Sequence, residues 1–469
     1  MTRPGDAFSW RFTTPLYLGS ALNPVNSALI ATALVPIARA MHVSVGRTSV
    51  LVAALYLASA IAQPTMGKLS EEFGPRRIFI TGILLVLTGG VVGGLADNLT
   101  TLIVARALIG IGTSAGYPSA MLLIRRRATT AGLAAPPGGV LGGLSIAGQA
   151  TAALGLPLGG VLVAAAGWRS TFLINVPVAG LALLVALAWI PRDPAIVSSR
   201  ARELLARIDA LGIVGFAGAM TALLVFLLGL PGVRWAALAL SVAIGALLVW
   251  WELRAATPFF DVRLLVSNVP LTMTYLRQGM ALLATYTVLY GITQWIEAGR
   301  GLSAEQAGLL ILPMTVVGAV LSAVVSRRNL IRGPLIAAAL ASMIAALLLL
   351  LLTAHTPVIL IVGVTIVFGI TVGASVVGNQ TALYAQAPAE QVATAAGLLR
   401  TFGYIGAIVS STITNIVFRT NVSDHGLHVI GATLVVVSAV LLVMTLADRR
   451  LRSPTFSAAP NPRLRLEAR

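Results

Sequence analysis

Apolar runs of about 20 residues recur along nearly the whole chain, and each is long enough to cross the hydrocarbon core of a bilayer as a helix. They fall at 13–38, 48–67, 78–96, 101–124, 139–166, 170–190, 209–229, 235–253, 268–296, 304–325, 334–353, 357–380, 391–418 and 428–447. The pattern predicts an all-α integral membrane protein with fourteen transmembrane helices. Composition points the same way: 57% of residues are hydrophobic and 10% charged, where soluble domains carry about a quarter charged. Cysteine is absent, which excludes disulfides and thiolate metal sites.

The net charge of +17 does not point to nucleic acid, because the basic residues sit in short clusters between apolar runs, facing anionic lipid. Arg76 and Arg77, Arg125 to Arg127, Arg192 to Arg207, Arg254 and Arg263, and Arg327 to Arg332 fall in alternate loops, and Arg449, Arg450 and Arg452 follow the last run. The intervening loops hold His42, His355, His425 and His428. The positive-inside rule then predicts a multi-pass cell-membrane protein with both termini cytoplasmic. The expected organisation is a six-helix bundle over 1–190, a linker with two extra helices over 191–260, a second six-helix bundle over 261–448, and a basic tail over 449–469. GPRR at 74–77 and RRNLIRGP at 327–334 are a weak echo between the halves, as in carriers built from two repeats.

One stretch stands apart. GLPLGGVLVAAAGWRSTFLINVP, 155–177, is apolar, rich in glycine and broken by a single short turn. Gly155, Gly159 and Gly160 let a neighbouring helix come close, and Pro157 bends the rod. Such a seam suits a moving gate or a static packing contact, and spacing alone favours neither.

Five segments resemble the major facilitator superfamily, specifically its fourteen-span drug:proton antiporter branch. They are GWRSTFLINVP at 167–177, GKLSEEFGPRR at 67–77, ARALIGIGTSAG at 105–116, GLPLGG at 155–160 and GLSAEQAGLLILP at 301–313. The resemblance implies a secondary carrier working by alternating access. It also implies a latch at one end, here Gly67, Glu71, Gly74, Arg76 and Arg77, with Glu71 where the family has aspartate and Glu72 where a basic residue is usual. Arg106 matches a position the family links to proton transfer, and Ile109 stands where a glutamine is common.

Charged side chains at bilayer depth are costly and usually face a cavity or a partner. Arg106, Arg277 and Arg400 qualify, and the polar residues Asn23, Asn26, Gln149, Gln278, Gln294 and Tyr404 join them as candidates for substrate binding or coupling. Tyr286 and Tyr290 are further aromatic candidates for a cavity wall. No span carries a central carboxylate, and arginine does not release a proton. Proton coupling would therefore fall to Glu71, Asp97, Glu297 or another boundary acid. Two readings stay open: a proton-coupled exporter of a small amphipathic solute or drug, and an exchanger or facilitator of anionic solutes. No cofactor, metal or enzymatic chemistry is expected; the expected partners are a small-molecule substrate, possible protons and membrane lipid, with the chain a monomer.

Overall fold

The computed structural model describes residues 8–132, 138–193, 209–230, 232–255, 258–259, 262–326, 330–387, 392–448 and 451. Helix is the regular structure of these residues, and no strand occurs among them. In chain order the helices are α1 (Trp10–Ala40), α2 (Val45–Phe73), α3 (Pro75–Gly94), α4 (Leu99–Thr130), α5 (Gly138–Ala166), α6 (Ser170–Trp189), α7 (Ala210–Gly229) and α8 (Trp235–Glu252). The short α9 (Val262–Ser267) leads into α10 (Val269–Gln294), which ends in a π-helical turn, Trp295–Gly299. Then come α11 (Ala304–Ser326), α12 (Arg332–Leu349), α13 (Val358–Gln386), α14 (Val392–Val417) and α15 (Asp424–Ala447).

Local chemistry sets the ends. Asn98, Asn268 and Ser423 cap α4, α10 and α15 by accepting from backbone N–H groups two or three residues into the helix. Between α2 and α3 the chain reverses at Gly74, whose φ of 98° is strained for any other residue. Pro75 then opens α3, where its missing N–H costs nothing.

Eleven helices among the described residues are long and apolar enough to cross a membrane: α1–α4, α6–α8, α11–α13 and α15. The other three runs expected to span fall on α5, α10 and α14. Of α5, the stretch that counts as apolar is Ala150–Ala166. The other two are 26 residues long each, but their sequences carry Arg277, Gln278, Arg400 and Asn415 among many threonines and serines. They are polar because they face protein, as the buried positions of Thr274, Thr287, Ser410 and Thr414 show.

Packing repeats. Within α1–α6, α1 lies on α5, α2 on α4, and α3 on both α4 and α6. Within α10–α15, α10 lies on α14, α11 on α13, and α12 on both α13 and α15. The two sets meet along two seams, α5 against α11 and α2 against α14. Helices α7 and α8 pack on each other, and α7 leans on α2 and α14. One end of the molecule carries Arg76, Arg77 and Arg125 to Arg127, and the other His42 and His355 with His425 and His428 at the start of α15; they are called the arginine end and the histidine end below.

Candidate functional site

Where the two helix sets face each other, four tyrosines form one cluster. Tyr56 of α2 lies with its ring centroid 4.8 Å from Tyr286 and 5.7 Å from Tyr404. Tyr286 and Tyr290, one turn apart on α10, stack at 5.7 Å. The Tyr290 hydroxyl donates to the Ser27 carbonyl of α1 at 2.9 Å and sits 3.1 Å from the Tyr56 hydroxyl. Because Tyr290 spends its proton on Ser27, Tyr56 is the donor between the two. Below them, the Tyr404 hydroxyl donates to Gln63 Oε1 at 2.7 Å. Nearer the arginine end, the Arg400 guanidinium lies 3.8 Å from the ring centroid of Tyr117 on α4, a cation–π contact across the same face. These groups are aromatic and hydrogen-bonding at once, and suit a flat amphipathic molecule.

The other two arginines are tied into one helix set each. Arg106, 2% exposed, donates from Nε to the Leu51 carbonyl at 3.2 Å and from Nη1 to the Asn26 carbonyl at 3.3 Å. Its Nη2 is buried without a hydrogen-bond partner, and no carboxylate lies within ion-pair reach among the described residues. Arg277, 1% exposed, donates to Asp448 Oδ2 at 2.9 Å and to Thr274 Oγ1 at 2.7 Å. Its charge is thus met at the end of α15 and not at mid-depth. Neighbouring Gln278 accepts from Asn379 Nδ2 at 3.1 Å.

The α1 asparagines diverge. Asn23 donates to Thr113 Oγ1 at 2.9 Å and to Ser59 Oγ at 3.4 Å, joining α1, α4 and α2. Asn26 forms a reciprocal amide pair with Asn175 of α6, at 2.7 and 3.0 Å. Gln294 is fully buried with neither amide atom hydrogen-bonded. The side chain of Gln149 lies outside those described.

At the seam, a β-carbon on Gly155 would meet Ala28 Cβ at 2.5 Å, and one on Gly159 would meet the Leu29 carbonyl at 2.8 Å. Both glycines therefore press on α1. Gly160 faces the other helix set: its added carbon would meet the Ala304 carbonyl of α11 at 2.7 Å. Gly308 of α11 answers it against the Leu156 carbonyl at 2.8 Å, next to Pro157.

At the arginine end the acid that meets the GPRR turn is Asp193, beyond α6. Its side chain is 3% exposed, accepts from the Arg77 backbone N–H at 2.9 Å, and lies 3.7 Å from Arg126 Nη1. Arg76 donates to the Leu187 carbonyl of α6 at 2.9 Å. Glu71 is exposed, and a carbon on Gly67 would find only Pro118, 3.8 Å away.

A match to a known family settles what kind of chain this is. The sequence profile described as Major Facilitator Superfamily matches residues 16–411. The chain belongs to the Major Facilitator Superfamily. It is a multi-pass membrane transporter, not an enzyme, and its relatives include exporters. The uncharacterized MFS-type transporter YwoD of Bacillus subtilis is 32% identical over 92% of this chain and 95% of its own length. The tetracenomycin C resistance and export protein of Streptomyces glaucescens is 28% identical over 88% and 77%. The multidrug resistance protein Stp of Mycobacterium tuberculosis is 26% identical over 84% and 73%. Among solved structures, a peptide transporter POT in complex with sulfate superposes with a TM-score of 0.66 at 16% identity, covering 94% of this chain and 95% of that one. The human organic anion transporter MFSD10 gives 0.57, also at 16%, over 95% and 100%. At such identity the likeness is of fold alone.

Within this facilitator fold, several residues of the site escaped sequence reading. Asp193 stands four residues past a tryptophan-ended helix with nothing local to link it to Arg77, 116 residues away. Gln63 and Tyr56 sit in an apolar run, and their role shows only once α2 faces α10 and α14. Asn175 was legible as part of GWRSTFLINVP, where one asparagine interrupts an apolar helix. Glu297, one of the boundary acids singled out from the sequence, lies in the π turn after α10 at 2% exposure.

Proposed function

We propose that this transporter exports a small amphipathic aromatic solute by alternating access, in exchange for protons. The carrying observation is the four-tyrosine cluster, which joins α2, α10 and α14 at the meeting face and offers stacking area with hydroxyl and amide groups beside it. The resistance and export proteins among the relatives support the direction.

In this reading the three remaining long helices, α5, α10 and α14, also cross the bilayer. That makes fourteen spans, two six-helix bundles and the inserted pair α7–α8, with both termini cytoplasmic. The state is one closed at the histidine end. There the Gly46 N–H donates to the Phe418 carbonyl at 3.1 Å, and the Gly160–Ala304 and Gly308–Leu156 contacts press α5 on α11. Toward the arginine end Gly397 of α14 has no neighbouring atom within 4 Å of an added carbon. Opening at one end while the other is sealed is the geometry a rocking carrier needs. The latch around Asp193 would hold α6 to the α2–α3 turn as the bundles rock.

Purified protein in liposomes with an imposed proton gradient provides the test, with a fluorescent aromatic cation, ethidium, and a fluorescein anion as probes. Export of at least one that stops when a protonophore collapses the gradient is expected. Gradient-independent movement of the anion alone would favour the second reading, exchange of anionic solutes, for which Arg400 beside the cluster is the supporting observation.

A further inference from the structure

The face of α10 that meets α1 and α2 carries Tyr286, Tyr290, Gln294 and, in the π turn beyond, Glu297, at spacings of three and four residues that bring all four onto one side. Its first half is hydrogen-bonded and its second half is not. Tyr290 and Tyr56 share hydroxyls, whereas both amide atoms of Gln294 and Oε1 of Glu297 are buried without partners among the described residues. Polar atoms are seldom left so in a protein interior, and such exceptions mark functional groups. The π turn itself is a local distortion that recurs at functional positions.

The turn is clamped shut. Trp295, fully buried, donates from its indole N–H to Asp424 Oδ1 at 2.9 Å, and the second oxygen of Asp424 accepts from the Ala354 N–H at 2.9 Å. The charged and titratable groups around the turn are few. Arg39 at the end of α1 is the charge that acts on Glu297; Arg300 lies over the Trp295 ring; from α15 come Asp424, His425 and His428, the last bonded to the Leu352 carbonyl; and Glu305 of α11 is exposed. Among the described residues Glu252, at the end of α8, is also buried, but on the inserted pair and within the field of Lys68; the other acids are engaged or exposed. Asp193 holds the latch, Asp209 accepts from Gly212, Trp251 and Phe259, Asp448 holds Arg277, Asp97 is exposed beside Arg169, and Glu71 is exposed.

We infer that Glu297 is the proton-carrying group of this transporter, and that Gln294 is the polar step between it and the Tyr290–Tyr56 hydroxyl pair. The inference rests on the proton-coupled reading above. When the histidine end opens, the carboxylate takes one proton from water there, and the neutral acid is what the closed turn buries. The proton then leaves past Gln294 and the Tyr290 and Tyr56 hydroxyls, which must turn from their present donation to Ser27 and Tyr290, and is taken up by water at the arginine end when that end is open, which restores the carboxylate.

The test uses the full chain in liposomes, as wild type, Glu297→Gln and Glu297→Asp. Infrared difference spectra of wild type minus Glu297→Gln at neutral pH should contain one protonated-carboxyl band that disappears as the pH is raised. Glu297→Asp should keep such a band with a displaced titration, which also shows that the fold tolerates changes at this position. Ethidium or fluorescein export, whichever the wild type performs, should lose its dependence on the gradient in Glu297→Gln. Absence of the band, or gradient dependence equal to wild type in Glu297→Gln, overturns the assignment and leaves proton-coupled export standing. Wild-type export that ignores the gradient overturns both.

Discussion

Single buried polar contacts carry much of the fold's specificity. The Asn26–Asn175 pair is the clearest, since each buried amide oxygen accepts from the other's amide group, which also donates to a carbonyl of its own helix, Leu22 or Phe172. Asn175→Ala strands Asn26 and should cost on the order of 1–3 kcal/mol, read as a lower thermal-unfolding midpoint in detergent. The double change to Asn26→Leu with Asn175→Leu should recover part of that loss, because no orphaned amide remains. A double variant no more stable than the single would mean the pair acts through something other than mutual satisfaction. Much of this scale was legible in the sequence: asparagine inside an apolar run is conspicuous, and so is an intramembrane arginine. The partners were not. Asp448 for Arg277, Asn175 for Asn26 and Asp193 for Arg77 lie 171, 149 and 116 residues away. Glu71, the acid nearest in sequence, points to solvent. Asp193→Ala should therefore slow transport about 10-fold, as loss of roughly 1.4 kcal/mol from the closing step requires, while Glu71→Ala changes it little; initial rates in the liposome assay decide.

Between helices, glycine does the work that side-chain interdigitation does elsewhere, because lipid gives no hydrophobic drive to helix association. The α5–α11 seam depends on Gly160 and Gly308 lying against backbone. A valine at either would push the carbonyls of Ala304 or Leu156 outward and keep the histidine end from closing. Export by Gly160→Val or Gly308→Val should fall well below wild type with protein levels maintained. Gly180→Val on α6 is the control, since a carbon there meets nothing within 4 Å and should leave the rate unchanged. Helix positions were readable from apolar run length almost throughout. What run length could not supply was the division of labour. α10 and α14 are the least lipid-like of the long helices because they line the meeting face and the C-terminal interior, while α7 and α8 are apolar on nearly every side because they lean on the rest by few contacts.

At the scale of the whole molecule, the inserted pair is anchored at one corner. Asp209 caps α7 through the Gly212 N–H at 3.1 Å, accepts from the Trp251 indole at 2.8 Å and from the Phe259 N–H at 2.8 Å, and so joins α7, α8 and the segment leading to the second bundle. Lys68, the lone lysine, reaches the Pro258 carbonyl of that same segment at 2.9 Å from the end of α2. A structural knot at the arginine end thus ties the pair to a helix of the first bundle, and it can only serve both bundles if the pair lies wholly to one side of them and its loops return to the arginine end. In the fourteen-span arrangement proposed above, that pair crosses the membrane twice and the arginine loops share one face. The native chain has no cysteine, so single cysteines report topology without background. Thr130→Cys, exposed beyond the arginines of α4, should react with a membrane-impermeant maleimide only in inside-out vesicles. His355→Cys, exposed between α12 and α13, should react only in right-side-out cells. Reaction of both from the same side would break the alternation on which the fourteen-span arrangement, the direction of the proton step at Glu297 and the assignment of the sealed end all depend.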